Sequence, residues 1–168
     1  MSKKQLFLLI LVGLVIGFLI WWFSASQVLQ RRSAALIESI RMEQGTGRLE
    51  RAYKTENLRD LLDSTVTITY PAMETTFAHA MASNEPITLP ADRAKSALLY
   101  LTELAEWISV SDESIEVIGH DDTSAEVAVS FKLAAKLKGK AEQATTMIGV
   151  FRFQYTKNRW LLNQADFQ

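Results

Sequence analysis

The chain has 168 residues, 48% of them hydrophobic and 22% charged, with a formal net charge of −1 and no cysteine. That length suits one domain with a real core, and a charge so close to zero argues against a nucleic-acid binder, which carries a basic excess. The absence of cysteine excludes disulfides, thiolate metal ligands, a catalytic thiol and a lipid-modified cysteine.

The first element is Leu6 to Phe23, a run of 18 uncharged and almost wholly apolar residues behind Lys3 and Lys4. As a helix it would be roughly 27 Å long, close to the hydrocarbon thickness of a bilayer. Residues 1–23 therefore read as a transmembrane anchor whose partner is membrane lipid. Ser24-Ala25-Ser26 offers the alternative of a signal-peptide cleavage site, but such signals have a shorter apolar core. Trp21, Trp22 and Phe23 fit better as an interfacial belt. Lys3 and Lys4 favour a cytoplasmic N-terminus with the rest outside, against Arg31 and Arg32 on the far side; in a bacterium this is a single-pass inner-membrane protein with a periplasmic domain. Gly13 and Gly17 form a Gly-x-x-x-Gly pair, readable as a helix-packing face or as ordinary membrane glycine.

Ser24 to Glu43 contains no breaker and predicts a helix with Leu29, Leu36 and Ile40 along one side, stopped by Gly45-Thr46-Gly47. Residues 24–47 read as a helical stalk, and residues 48–168 as the domain. A second helical stretch carries Leu49, Ala52 and Tyr53, with a phase break at Thr55-Glu56-Asn57. There Asn57 would cap a short helix holding Leu58, Leu61 and Leu62. Thr65 to Tyr70 alternates as a strand ended by Pro71. A polar loop runs to Glu85, and Pro86 to Leu89 reads as a short partner strand. Pro90 opens a helix with Asp92 in its first turn and an apolar stripe of Ala94, Ala97, Leu98, Leu101, Leu104, Ala105 and Ile108. Tyr100 and Trp107 flank that stripe.

From Ser114 the period becomes two. Ile115, Val117 and Ile118 mark one strand, Ala125 to Leu133 a long second, Thr145 to Tyr155 a third with a bulge expected at Gly149, and Trp160-Leu161-Leu162 the last. Lys136 to Lys140 is a basic turn, and Asn158 a tight one. Helices followed by a four-stranded antiparallel meander predict an α+β domain.

This order resembles the nuclear transport factor 2-like superfamily over roughly Arg48 to Phe167. The likeness rests on Ala52-Tyr53 through Leu61-Leu62 ahead of Val66-Thr67-Ile68, on the Arg93-to-Trp107 helix, and on Phe151 to Trp160 running into Leu161-Leu162. It implies a cone in which a curved, mainly antiparallel sheet wraps around helices and leaves a pocket. Members include ketosteroid isomerases, dehydratases, polyketide cyclases and binding or assembly domains without chemistry, so fold alone does not give function. In the isomerase branch a general-base Asp ends the first strand before a proline. Here Tyr70 precedes Pro71, and a phenol with a reference pKa near 10 is a poor base.

The resemblance makes Tyr70, Tyr100, Trp107, Phe131, Phe151 and Phe153 candidates for lining the pocket or for filling the core. His79 and His120 have no metal-ligand spacing, and His120-Asp121 reads as a turn. With no Gly-x-Ser-x-Gly elbow and no phosphate-cradling glycine loop, no cofactor is expected. Glu103 to Glu126 holds eight acidic residues and no basic one, while Lys132 to Arg159 holds seven basic residues and one acid. Cross-strand pairing is the plain explanation; a docking surface, or anionic lipid at Lys136, Lys138 and Lys140, is the sharper one. Two functions follow. One is a membrane-anchored binding or assembly module, working as a homodimer or in a protein complex and similar in layout to the periplasmic assembly component of type IV secretion systems. The other is a tethered isomerase, dehydratase or hydrolase acting on a small apolar ligand.

Overall fold

A computed structural model describes residues 3–70 and 86–168, with the backbone alone for residues 3–9 and 48. The polar loop after Tyr70, with Pro71 and His79, lies outside the described residues, as does the side chain of Leu6. The elements run α1 (Lys3–Trp22), α2 (Ala25–Ile40), α3 (Arg48–Arg59), β1 (Leu62–Thr69), β2 (Ile87–Pro90), α4 (Ala91–Leu104), β3 (Ala105–His120), β4 (Ser124–Leu137), β5 (Glu142–Thr156) and β6 (Arg159–Phe167).

α1 forms over the expected stretch and exposes its apolar side chains from Ile10 to Phe23, among them Leu14 at 66% and Ile20 at 70%. Added β-carbons at Gly13 and Gly17 would meet open space. Among the described residues no single helix is long and apolar enough to cross a membrane; α1 from Ile10 passes only together with α2, across a bend of 55°. α2 has a different use. Leu29, Ser33, Leu36 and Ile37 recur at helical spacing and are all buried in the domain. The expected stalk over residues 24–47 is thereby corrected: α2 is the first helix of the cone, because its apolar face packs on the sheet. It ends at Ile40, short of Gly45, where Met42 exchanges two 2.8 Å backbone hydrogen bonds with Ile108.

α3 is continuous through Thr55-Glu56-Asn57, where a break was expected. Thr55 is buried and satisfies its hydroxyl on the Ala52 carbonyl at 2.9 Å, so it does not interrupt the helix. Leu62 begins β1. α4 runs antiparallel to α3, tied by Arg51 to the Thr102 carbonyl and by the Lys95–Glu56 ion pair.

The described strands form one curved six-stranded sheet in the order β2-β1-β6-β5-β4-β3. The meander β3-β4-β5-β6 is antiparallel as expected, and β1 joins β6 in parallel. β3 starts at Ala105, earlier than the helical pattern suggested. Ile108 and Val110 point inward on alternate positions opposite Ala135 and Leu133 of β4, and that pairing takes over from the helical period. Lys138 then closes the end of α4, its backbone N–H donating to the Leu104 carbonyl at 3.0 Å and its Nζ to the Glu103 carbonyl at 2.8 Å.

The bulge expected at Gly149 lies instead opposite Arg152 and Phe153, with Asn163 as the extra residue of β6. Gly149 is regular in register but crowded: an added β-carbon would collide with the Asp166 carbonyl and lie 2.8 Å from the Phe167 ring. Lys157 and Asn158 both have positive φ, 53° and 62°, as a two-residue hairpin with the right twist requires.

Candidate functional site

The inner face of the sheet is set by alternation. Ala125, Val127, Val129 and Phe131 of β4 and Met147, Phe151 and Phe153 of β5 all point under the helices and are buried. Parallel pairing of Ile68 with Ala165 and of Thr69 with Asp166 carries Tyr70 beside Phe167. Their rings stack at 6.1 Å and 15°. Phe131 and Phe151 meet Phe167 edge-on at 6.3 and 5.9 Å, and Phe153 meets Phe151 at 6.5 Å. Four predicted residues, Tyr70, Phe131, Phe151 and Phe153, thus form one aromatic cluster.

Phe167 at its centre was missed; the period-two run Asn163 to Phe167 was the signal for it. Tyr100 and Trp107 do not join. Tyr100 is 64% exposed on α4, and Trp107 falls on the face of β3 opposite to Ile108. Both were candidates through the resemblance; Tyr100 lies within α4 on its exposed side, and Trp107 falls in β3 where the helical period was expected to continue.

Phe131, Phe151 and Phe153, at 3, 5 and 1% exposure, are core side chains, while Tyr70 and Phe167 are half-buried. The buried residues among those described include Ser33, Ser39, Thr55 and Thr102 but no acid, histidine, lysine or arginine. Burial pushes the Tyr70 phenol above its ordinary value, so the group is a neutral hydroxyl at physiological pH, fit to donate a hydrogen bond and not to abstract a proton. Ser33 Oγ is fully buried without a hydrogen-bond partner among the described residues. No group of three His, Asp or Glu among the described residues is placed to hold a metal ion. His120 is exposed, and its neighbour Asp121 does not orient it. The Asp121 carboxylate accepts from the backbone N–H of Thr123 and Ser124 at 2.7 Å each and from both hydroxyls, which hold its pKa well below the usual carboxylate range.

The outer face is polar and paired. Thr69, Asp166, Arg152 and Glu126 form a belt across β1, β6, β5 and β4, with Thr69 donating to Asp166 at 2.8 Å and Arg152 to Glu126 at 2.9 Å. Burial opposes ionisation of Asp166, but hydrogen bonds from Gln164, Thr69 and Arg152 outweigh it and lower the pKa. Farther along, Lys132 pairs with Asp112 at 2.6 Å and Lys136 with Glu106 at 2.8 Å. The opposite charge runs of the sequence are therefore neighbours across β3, β4 and β5. A recess of about 430 Å3 opens between the start of β4 and the end of β5, lined by Thr123, Ser124, Glu126, Arg152, Gln154 and Asn163 among others.

A curved sheet around helices, with its last strand parallel to its first, is the nuclear transport factor 2-like fold. Solved structures bear this out. A ketosteroid isomerase-like protein from Erwinia carotovora atroseptica aligns with a TM-score of 0.60 at 10% identity, covering 86% of this chain and 95% of that one. A candidate scytalone dehydratase from Novosphingobium aromaticivorans gives 0.61 at 12%, covering 84% and 81%. A candidate dehydratase of the nuclear transport factor 2-like family from Streptomyces avermitilis gives 0.53 at 15%, covering 83% and 93%. These coverages exceed what residues 48–168 alone supply, so the likeness reaches back before α3. No protein-family profile matches the sequence, and no curated protein matches it.

Proposed function

We propose that the chain is a membrane-anchored, non-catalytic binding or assembly module. The observation that carries this reading is the exposed apolar surface of α1 from Ile10 onward, beside a domain whose Phe131, Phe151 and Phe153 are spent on its core. Covering even half of α1's apolar surface would be worth on the order of 10 kcal/mol, and lipid is the medium that covers an all-round apolar helix. With α2 committed to the core, the apolar run from Leu6 to Phe23 crosses by itself, behind Lys3 and Lys4. Lys3 and Lys4 favour a cytoplasmic N-terminus, with the cone on the periplasmic side of an inner membrane. A second copy or a protein partner docks on the cone, for which the outer sheet face offers Ile148, 54% exposed, between the ion pairs.

Two measurements test this reading. The full-length chain stays in the membrane pellet after alkaline carbonate washing, and cross-linking in membranes gives a defined oligomer. Release into the supernatant, or a strict monomer without neighbours, counts against it.

A tethered isomerase, dehydratase or hydrolase is the second reading, favoured by one observation: Tyr70 brings a neutral hydroxyl to the aromatic cluster. It gains ground if an apolar fluorescent probe binds the folded protein in detergent and Tyr70→Phe weakens that binding. Absence of any probe binding removes it.

A further inference from the structure

Cations from three elements converge where α1 meets α2. The Arg31 guanidinium lies 4.1 Å over the Trp22 ring, and its Nη2 donates to the Trp22 carbonyl at 2.6 Å, closing the end of α1. Arg32 Nη1 donates to the Asp60 carbonyl at 3.3 Å, while Arg159 Nη1 lies 4.0 Å from the Asp60 carboxylate. Lys157 stands exposed at the tip of the β5–β6 hairpin beside Arg159. Two guanidiniums thus share one aspartate. Burial first, and then repulsion from Arg159, hold the Arg32 pKa below its ordinary value. Acids are present at this end too: Asp121 and Asp122 lie in the β3–β4 turn, which receives the Tyr155 backbone N–H on Thr123. Asp121 is taken up within its own turn.

The opposite end of the sheet differs. There Lys136 is paired with Glu106 and Lys138 closes α4, so two of the three lysines that the sequence alone suggested for lipid are engaged within the fold, and Lys140 stands exposed in the β4–β5 turn. The two ends of β5 are roughly 45 Å apart for a strand of this length.

Aromatic residues at the end of an apolar helix sit at headgroup level. Cations at that depth are drawn to anionic lipid. We infer that Arg32, Lys157 and Arg159, around the Arg31–Trp22 contact, dock this end of the cone on anionic phospholipid headgroups and so hold the domain against the membrane. The inference rests on the anchor reading and specifies which surface faces the lipid.

The lack of native cysteine makes the test direct. Gln154→Cys and Lys140→Cys, near opposite ends of β5, each carry one fluorophore on the full chain in phosphatidylcholine nanodiscs, with and without phosphatidylglycerol. Energy transfer to a headgroup-labelled lipid should be strong from position 154 in anionic discs and weak from position 140. Neutralising R32Q, K157Q and R159Q together should lower the docked-to-free ratio on the order of a hundredfold. R159Q alone, at an exposed position, should give a smaller loss in the same direction. Equal transfer from the two positions, or transfer indifferent to phosphatidylglycerol, overturns the docking. Release of the chain by carbonate overturns the anchor as well, whereas a retained chain with position 154 remote from the headgroups overturns the docking alone.

Discussion

α1 and α2 are consecutive helices of 20 and 16 residues, separated by Phe23 and Ser24, and both present large aliphatic side chains. Their fates are opposite. α1 is apolar around its whole circumference from Ile10 to Trp22 and stays exposed among the described residues. α2 gathers its apolar residues into the stripe Leu29, Leu36 and Ile37, sets arginine and glutamate on the other side, and is absorbed into the core. The arrangement of apolar residues around the axis, more than their number, decides whether a helix ends up inside the fold or needs a medium outside it.

The largest test of that contrast is a matched pair of truncations. Leu29→Ala should cost about 3 kcal/mol of unfolding free energy, within the usual range for a buried leucine. Leu14→Ala, outside the domain, should shift the same denaturation curve in detergent by less than about 0.5 kcal/mol. Equal losses would break the comparison.

Glycines sharpen it at somewhat smaller scale. Gly149→Ala drives a β-carbon against the β6 backbone and should cost about 2 kcal/mol. Gly13→Ala and Gly17→Ala, which meet open space, should leave the domain's melting temperature unchanged in thermal denaturation.

Ser33 tests whether α2 is as well suited to its place as the burial of its stripe implies. Its buried hydroxyl has no hydrogen-bond partner among the described residues, so Ser33→Ala should raise stability by about 1 kcal/mol in urea titration.

The outer sheet face, away from both helices, should give the weakest effect. Because the folded-state pKa of Asp166 is depressed, its contribution is present above the unfolded-state value near 4 and is lost as pH falls through the lower folded value. Asp166→Asn should flatten the acid side of the stability–pH profile by a small amount, since the group is partly solvated. A profile that the substitution leaves unchanged would show that the belt contributes nothing measurable.

Much of this architecture was legible in the sequence. The meander announced itself by period-two runs at Ala125–Leu133 and Thr145–Tyr155, and both pair in register, the second passing through Gly149 without the phase change expected there. The tight turn at Asn158 was readable for the same local reason. What failed was any position where two periods fit equally well. Ala105 to Ile108 satisfies the helical stripe of α4 and also opens β3; only pairing with a strand some thirty residues away decides between them. That ambiguity displaced Trp107 from the candidate site, whereas Tyr100 lies on the helix as expected but on its exposed side. The break expected at Thr55-Glu56-Asn57 rested on a shift of apolar phase and on Asn57 as a cap; α3 runs through it, with Thr55 buried and its hydroxyl bonded to the Ala52 carbonyl. Phe167 went unweighted although Asn163 to Phe167 alternates, because its place at the centre of the cluster depends on long-range parallel pairing of β6 with β1.

That parallel pairing also governs when the fold can be completed. Thr69 bonds to Asp166 across 97 positions of chain, so β1 and β2 must wait, exposed on a nascent polypeptide, until the ribosome has delivered the final strand. Long-range closure of this kind is slow and leaves open strand edges vulnerable to wrong partners. A chain whose first helix enters a bilayer early would pass that interval tethered, at low local density, with its unfinished edges kept apart from those of its neighbours.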